Sequence, residues 1–246
     1  MDLLIILIVI SAQRFLHVLS VPYRLNWAGH YYDWCASKIE YTTKGHGLLG
    51  LAILVVPMLL FGSVVFSMVF HLFGFLGYML VSLALFWYCT DARDLLKQPY
   101  VGLTPLATLT QVFQSLFGTI FWFILFGPMG LLLYYLVHYF KDYLIAREDA
   151  ESRELELYSQ QVGAVLDWVP ARLFSLCFAL LGHFSMVFKK WFQLALSGLD
   201  PHLTIISECA KPVVNTQDEA VSLIDRSLAA WLIIIALITL SSFFGR

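Results

Sequence analysis

The sequence predicts an all-α protein, a polytopic bundle of helices embedded in a membrane, and three observations carry that expectation. Of its 246 residues, 60% are hydrophobic and only 13% are charged, where an ordinary soluble domain has roughly one-quarter charged residues. Apolar blocks recur along the chain, several of them near the about 20 residues a helix needs to cross the hydrocarbon core. The charged residues fall between the blocks, and tryptophan and tyrosine gather near the block ends, where interface anchors belong. A single embedded domain over residues 1–246 is expected, with a charged peripheral segment at 141–168. The lipid bilayer is the partner the composition names. With a net charge of −2 and no basic tract, nothing points to nucleic acid.

The first block, residues 3–19, is just long enough to span, and Met1-Asp2-Leu3 lacks the basic flank of a cleaved secretory signal, so it is expected to stay attached. Gln13, Arg14 and His17 share one helical face in its second half. Arg14 has two readings: snorkelling to the headgroups, or pointing into the bundle to meet a carboxylate. Residues 20–47 form a polar connection with an amphipathic centre in which Trp27, Tyr31 and Trp34 recur at helical spacing, fitting a helix lying in the interface or packed under the bundle. Residues 48–89 carry no acidic or basic side chain; their length suits two spans, 48–69 and 73–88, joined by a short turn around His71.

Asp91 and Asp94, three residues apart with Arg93 between them, flank the next loop. They read either as a solvated helix end or as a seat for a metal or phosphate-bearing ligand. Gln111 and Gln114 share one face as the chain enters residues 113–138, an apolar block interrupted by Gly127-Pro128. Proline removes a donor and clashes with the preceding turn, so the helix is expected to kink or break there. If it breaks, halves of a block this short cannot each cross alone, and their freed backbone groups must face protein or a wet cavity. A broken or re-entrant helix also answers an orientation problem. Basic residues mark 20–47, 90–110 and 141–153 for the cytoplasmic side, which a single crossing by 113–138 cannot satisfy. Demoting another helix answers it too.

Residues 141–168 are charge-laced and read as a peripheral helix. In Asp167-Trp168-Val169-Pro170-Ala171-Arg172, Asp167 ends one helical pattern and Pro170 suits the first turn of the next. Asp167 is then placed to cap that turn or to pair with Arg172, and Arg172 to meet Asp167 or an anionic ligand. The following apolar stretch stops at Gly182 and reads as partly buried; residues 228–244 close the chain as a last span. Cys35, Cys89, Cys177 and Cys209 are scattered, with neither a zinc spacing nor a disulfide framework. No metal site is expected.

Phe121-Trp122-Phe123-Ile124, the Gly127-Pro128 pair, the string Val165 to Leu173 and Ala179-Leu180-Leu181-Gly182-His183 resemble the AmpE family of inner-membrane proteins, and more distantly the CobD/CbiB membrane enzymes of cobalamin biosynthesis. The resemblance implies a multi-pass protein of a bacterial inner membrane, linked with an amidase in control of β-lactamase induction and with sensing of peptidoglycan recycling. It implies a cytoplasmic or membrane protein partner, a cell-wall-derived small molecule and no cofactor. The alternative it raises is a membrane enzyme of the ATP-dependent amide-ligase type, using ATP and magnesium. The cobalamin enzymes carry an acidic motif where this chain reads Leu109-Thr110-Gln111-Val112-Phe113-Gln114, without the glutamate, and that departure weakens the transfer. Asp167, Arg172, Gln111, Gln114, Arg14, Asp91 and Asp94 stand as candidates for a ligand site or structural junction; no catalytic residue is assigned.

Overall fold

A helix buried in lipid must satisfy its own backbone, and the computed structural model, which describes residues 2–15, 26–38, 47–90, 104–147, 152–181, 184–195 and 203–244, has helices as its regular structure over those residues. In chain order the helices are α1 (Asp2–Phe15), α2 (Asn26–Lys38), α3 (Gly47–Cys89), α4 (Pro105–Val112), α5 (Gly118–Arg147), α6 (Arg153–Leu181), α7 (Phe184–Ala195), α8 (Thr204–Ala210) and α9 (Gln217–Phe244). A π-helical turn, Phe113–Phe117, joins α4 to α5 without a break. Four stretches are long and apolar enough to cross a membrane: Gly47–Cys89, Pro105–Arg147, Arg153–Leu181 and Gln217–Thr239. The protein is a polytopic helical bundle embedded in the lipid bilayer.

Two of the four are hairpins. Gly127 has φ 66° and ψ −153°, a conformation essentially reserved for glycine, and the chain reverses there. Eight residues along a straight helix lie about 12 Å apart, yet a Cβ built on Gly130 would sit 2.5 Å from the carbonyl oxygen of Trp122. Pro128 then opens the returning limb, where its missing N–H is harmless. The limbs, 105–126 and 128–147, are each about 30 Å long, enough for each to cross. The expectation of two halves too short to span fails because both limbs continue well beyond the apolar block. Gly74 (φ 57°, ψ −139°) turns α3 in the same way, placing the reversal three residues beyond His71.

Several further expectations are corrected. Helix α6 runs unbroken through Pro170 and is long enough to span, so Asp167 does not end a helix and the stretch beyond it is no short satellite. The reason is a donor from another helix: Pro170 frees the carbonyl of Leu166, and the Trp122 indole N–H donates to it at 3.2 Å. Pro57 in α3 frees Ile53 likewise, and the Tyr31 hydroxyl donates to that carbonyl at 3.2 Å. Burial pushes the Tyr31 hydroxyl up to about 12, so it stays a donor. The first helix is described over 14 residues, about 21 Å; residues 16–19 of the expected first block lie outside the described residues. In α2 the buried face is Ala28, Tyr32 and Cys35, while Trp34 is exposed, one position off the aromatic stripe.

Residues 141–168 are divided between the end of α5 and the first half of α6, where Leu155, Ser159, Leu166 and Asp167 are buried. One apolar core packs Phe113, Phe117, Phe123, Phe174 and Phe178 with α1, α8 and α9. A second gathers Tyr32, Leu54, Val137, Phe140 and Leu144. The polar cluster described next is formed where the π-helical turn, α5 and α6 meet.

Candidate functional site

Asp167 is 1% exposed, and a carboxylate so deep in an apolar bundle must be hydrogen-bonded. Three side chains from two other elements serve it. The Tyr134 hydroxyl donates to Oδ1 at 2.7 Å, the Gln114 amide donates to Oδ2 at 3.1 Å, and His138 Nε2 lies 3.1 Å from Oδ2. Local structure aims each of them. Gln114 sits in the π-helical turn, and such bulges re-aim side chains and recur at functional sites. Tyr134 and His138 are four apart on the returning limb and share a face. Gly118, across the hairpin, leaves space for the tyrosine: a Cβ there would lie 2.1 Å from its hydroxyl oxygen.

His138 Nδ1 is 3.0 Å from the carbonyl oxygen of Tyr134 and Nε2 is 3.1 Å from Asp167 Oδ2, so each ring nitrogen faces one oxygen and the imidazole is held between its own helix and α6.

A cleft of about 400 Å³ opens beside this cluster, lined by Cys89, Gln111, Gln114, Ser115 and Thr119 on one side and by Tyr134, Tyr135, His138, Tyr139, Asp142 and Tyr143 on the other. Its size is that of a small-molecule site. Gln111 and Gln114 both reach it, and Asp167 stands behind its wall through Tyr134, His138 and Gln114. These groups converge midway along the hairpin limbs rather than at the Gly127 turn.

Arg172 is served elsewhere. Its Nε donates to the carbonyl of Ala195 at 2.7 Å, an Nη donates to the carbonyl of Trp168 at 2.9 Å, and the guanidinium lies 3.8 Å from the Trp168 ring centroid. A cation on the last carbonyl of a helix satisfies an orphan acceptor and opposes the helix dipole, so Arg172 closes the C-terminus of α7. The acid and the arginine of the Asp-Trp-Val-Pro-Ala-Arg string thus hold two different junctions. Arg14 belongs to α1, but its side chain lies outside the described residues, as do Asp91 and Asp94 altogether. Its neighbour Gln13 is fully buried and donates to the carbonyl oxygens of Trp87 and Thr90, tying α1 to the end of α3. Among the described residues, no group of three or more His, Cys, Asp or Glu is placed to hold a metal ion.

Tyr134 and His138 were not among the candidates read from the sequence. A signal existed: His138 is the one titratable imidazole in an otherwise uncharged block, and an ionisable residue inside a membrane is a functional candidate by default.

Among known proteins, no curated sequence and no solved structure matches the chain. A family model does, that of the regulatory signalling modulator protein AmpE, over residues 103–244. The matched region holds the whole hairpin cleft except Cys89, together with Asp167 and Arg172. The chain belongs to the AmpE family, the multi-pass inner-membrane proteins of regulatory and accessory role linked to β-lactam signalling.

Proposed function

We propose that the cleft between the limbs of the Pro105–Arg147 hairpin is the ligand-responsive part of this regulator. A small polar molecule derived from the cell wall enters between the limbs, and the Asp167 cluster couples its presence to the packing of α5 on α6. A protein partner reads the change from the charged end of the hairpin, Lys141 to Arg147, and the first turn of α6. The observation that carries this reading is the cleft itself, walled by the Tyr134, His138 and Gln114 side chains that converge on one buried carboxylate. Purely structural polar clusters in a bundle have no need of an open cleft at their edge.

The test separates folding from response. Asp167→Asn keeps the shape of the side chain and one acceptor, so protein yield is expected near wild type while β-lactamase induction by a β-lactam falls severalfold or more. Asp167→Ala leaves Tyr134, His138 and Gln114 facing a void, a cost on the order of 3–5 kcal/mol for a buried charged partner removed, and yield is expected to drop. Normal induction in Asp167→Asn and in Gln111→Leu/Gln114→Leu, at wild-type protein levels, would show that the cleft has no part in the response.

A further inference from the structure

Several of the hydrogen atoms on the wall beside Asp167 are already spoken for. Ser115 Oγ donates to the carbonyl of Gln111 at 2.8 Å, Thr119 Oγ1 to that of Leu116 at 2.7 Å, and Tyr134 Oη to Asp167 at 2.7 Å. His138 turns one ring nitrogen to the Tyr134 carbonyl and the other to Asp167, and Gln114 gives an amide hydrogen to the same carboxylate. A hydroxyl that has donated its proton keeps only lone pairs to offer. Ser115, Thr119 and Tyr134 therefore present acceptors to the cleft, joined by the Gln114 carbonyl and the Asp142 carboxylate. Asp142 lies near the mouth, 72% exposed and 3.4 Å from the Lys141 ammonium. Among the described residues, neither lysine nor arginine lines the cleft, and Arg172 is committed to α7.

The aromatic lining agrees. Tyr135, Tyr139 and Tyr143 follow at four-residue spacing and so form one strip of the returning limb. The Tyr139 and Tyr143 rings lie 6.0 Å apart and near parallel, and Tyr88 meets Tyr135 edge-on at 6.3 Å. Aromatic faces attract cations, more strongly where water is excluded. A lining of acceptors and aromatic faces, with no lysine or arginine among the described residues, suits an ammonium group better than a phosphate or carboxylate. At about 400 Å³ the cleft is more than ten times the roughly 30 Å³ share of a water molecule, far larger than a bare metal ion fills.

We infer that the cleft binds an organic ammonium compound, its N–H donors directed to Ser115, Thr119, Tyr134 and Asp142 and its carbon skeleton along the Tyr135–Tyr139–Tyr143 strip. This rests on the ligand-responsive reading of the cleft and names the chemical class of the ligand.

The probes are three five-carbon molecules of like length, 1,5-diaminopentane, 1,5-pentanediol and glutarate, titrated into the full chain in detergent at constant ionic strength. Binding is followed by calorimetry and by the shift in Tm. The diamine is expected to bind at least tenfold more tightly than the diol, and glutarate not at all. Ser115→Ala/Thr119→Val, which removes lone pairs with little change of shape, is expected to weaken the diamine at least tenfold. Lys141→Met is expected to tighten it by freeing Asp142 of a competing ammonium, an outcome a merely structural role would not produce. The inference is overturned if glutarate or the diol binds as well as the diamine, if none of the three binds, if the double variant binds like wild type, or if sodium alone produces the shift. It also separates from the functional reading. Lost induction in the Gln111 and Gln114 variants without amine preference removes this inference alone, whereas amine binding with unchanged induction removes the regulatory role alone.

Discussion

The contact between Gly118 and Tyr134 shows how closely the site depends on single atoms. The tyrosine hydroxyl occupies the position a methyl group would take on residue 118, 2.1 Å from an added Cβ. Gly118→Ala must therefore push Tyr134 off Asp167, combining overpacking with an unmet buried acceptor, each about 1–3 kcal/mol. A clear fall in Tm is expected in thermal melts of the purified protein. Gly163→Ala is the control: its Cβ would meet Lys141 at 3.7 Å and His138 at 4.0 Å, ordinary contact, and its Tm should stay close to wild type. If the two glycine variants melt alike, Tyr134 is not held by the space at Gly118. At this scale the sequence was partly legible. The three-residue spacing of Gln111 and Gln114 announced their shared face, and Asp167 stood out as an acid in an apolar run. Its partners did not, because Tyr134, His138 and Gln114 lie 33, 29 and 53 residues away, and no local periodicity encodes a meeting across three elements.

Proline explains where reading by elements succeeded and where it failed. Thr104 caps α4 by accepting from the Ala107 N–H, with Pro105 at the first position of the helix, and Pro128 opens the second limb of the hairpin. Both fit the rule that proline starts helices. Pro170 breaks that rule, because the acceptor it frees on Leu166 is met by Trp122 from another helix. A carbonyl supplied with a donor from 44 residues away leaves the helix free to continue, and nothing in the Asp-Trp-Val-Pro-Ala-Arg string itself reports that donor. The dependence can be measured by a double-mutant cycle. Trp122→Phe alone should cost about 1–2 kcal/mol, since it leaves a buried carbonyl unmet. In the Pro170→Ala background the Leu166 carbonyl regains a helical donor, and the same substitution should cost about 1 kcal/mol less. Equal penalties in both backgrounds would mean that Trp122 acts by packing alone.

The arrangement of the whole molecule follows from its two glycine reversals. Because Gly74 and Gly127 each fold a 43-residue helix back on itself, both ends of Gly47–Cys89 lie on one side of the bundle, and so do both ends of Pro105–Arg147. Basic residues at Lys38, Lys141, Arg147 and Arg153 then fall at that common side, which the positive-inside tendency assigns to the cytoplasm. Charge alone could not choose between a broken helix at Gly127-Pro128 and one span fewer; the positive φ at Gly127 shows the break, and glycine is the residue that makes it affordable. The four native cysteines are buried, so single cysteines introduced at exposed positions report topology against a quiet background. Thr104→Cys and Glu154→Cys are expected to react with a membrane-impermeant maleimide only in inverted vesicles. Phe126→Cys, at the exposed turn, is expected to react only in right-side-out ones. Labelling of Thr104→Cys and Glu154→Cys from opposite faces would mean that residues 105–147 cross the bilayer once, and the cleft between two limbs would then have no basis.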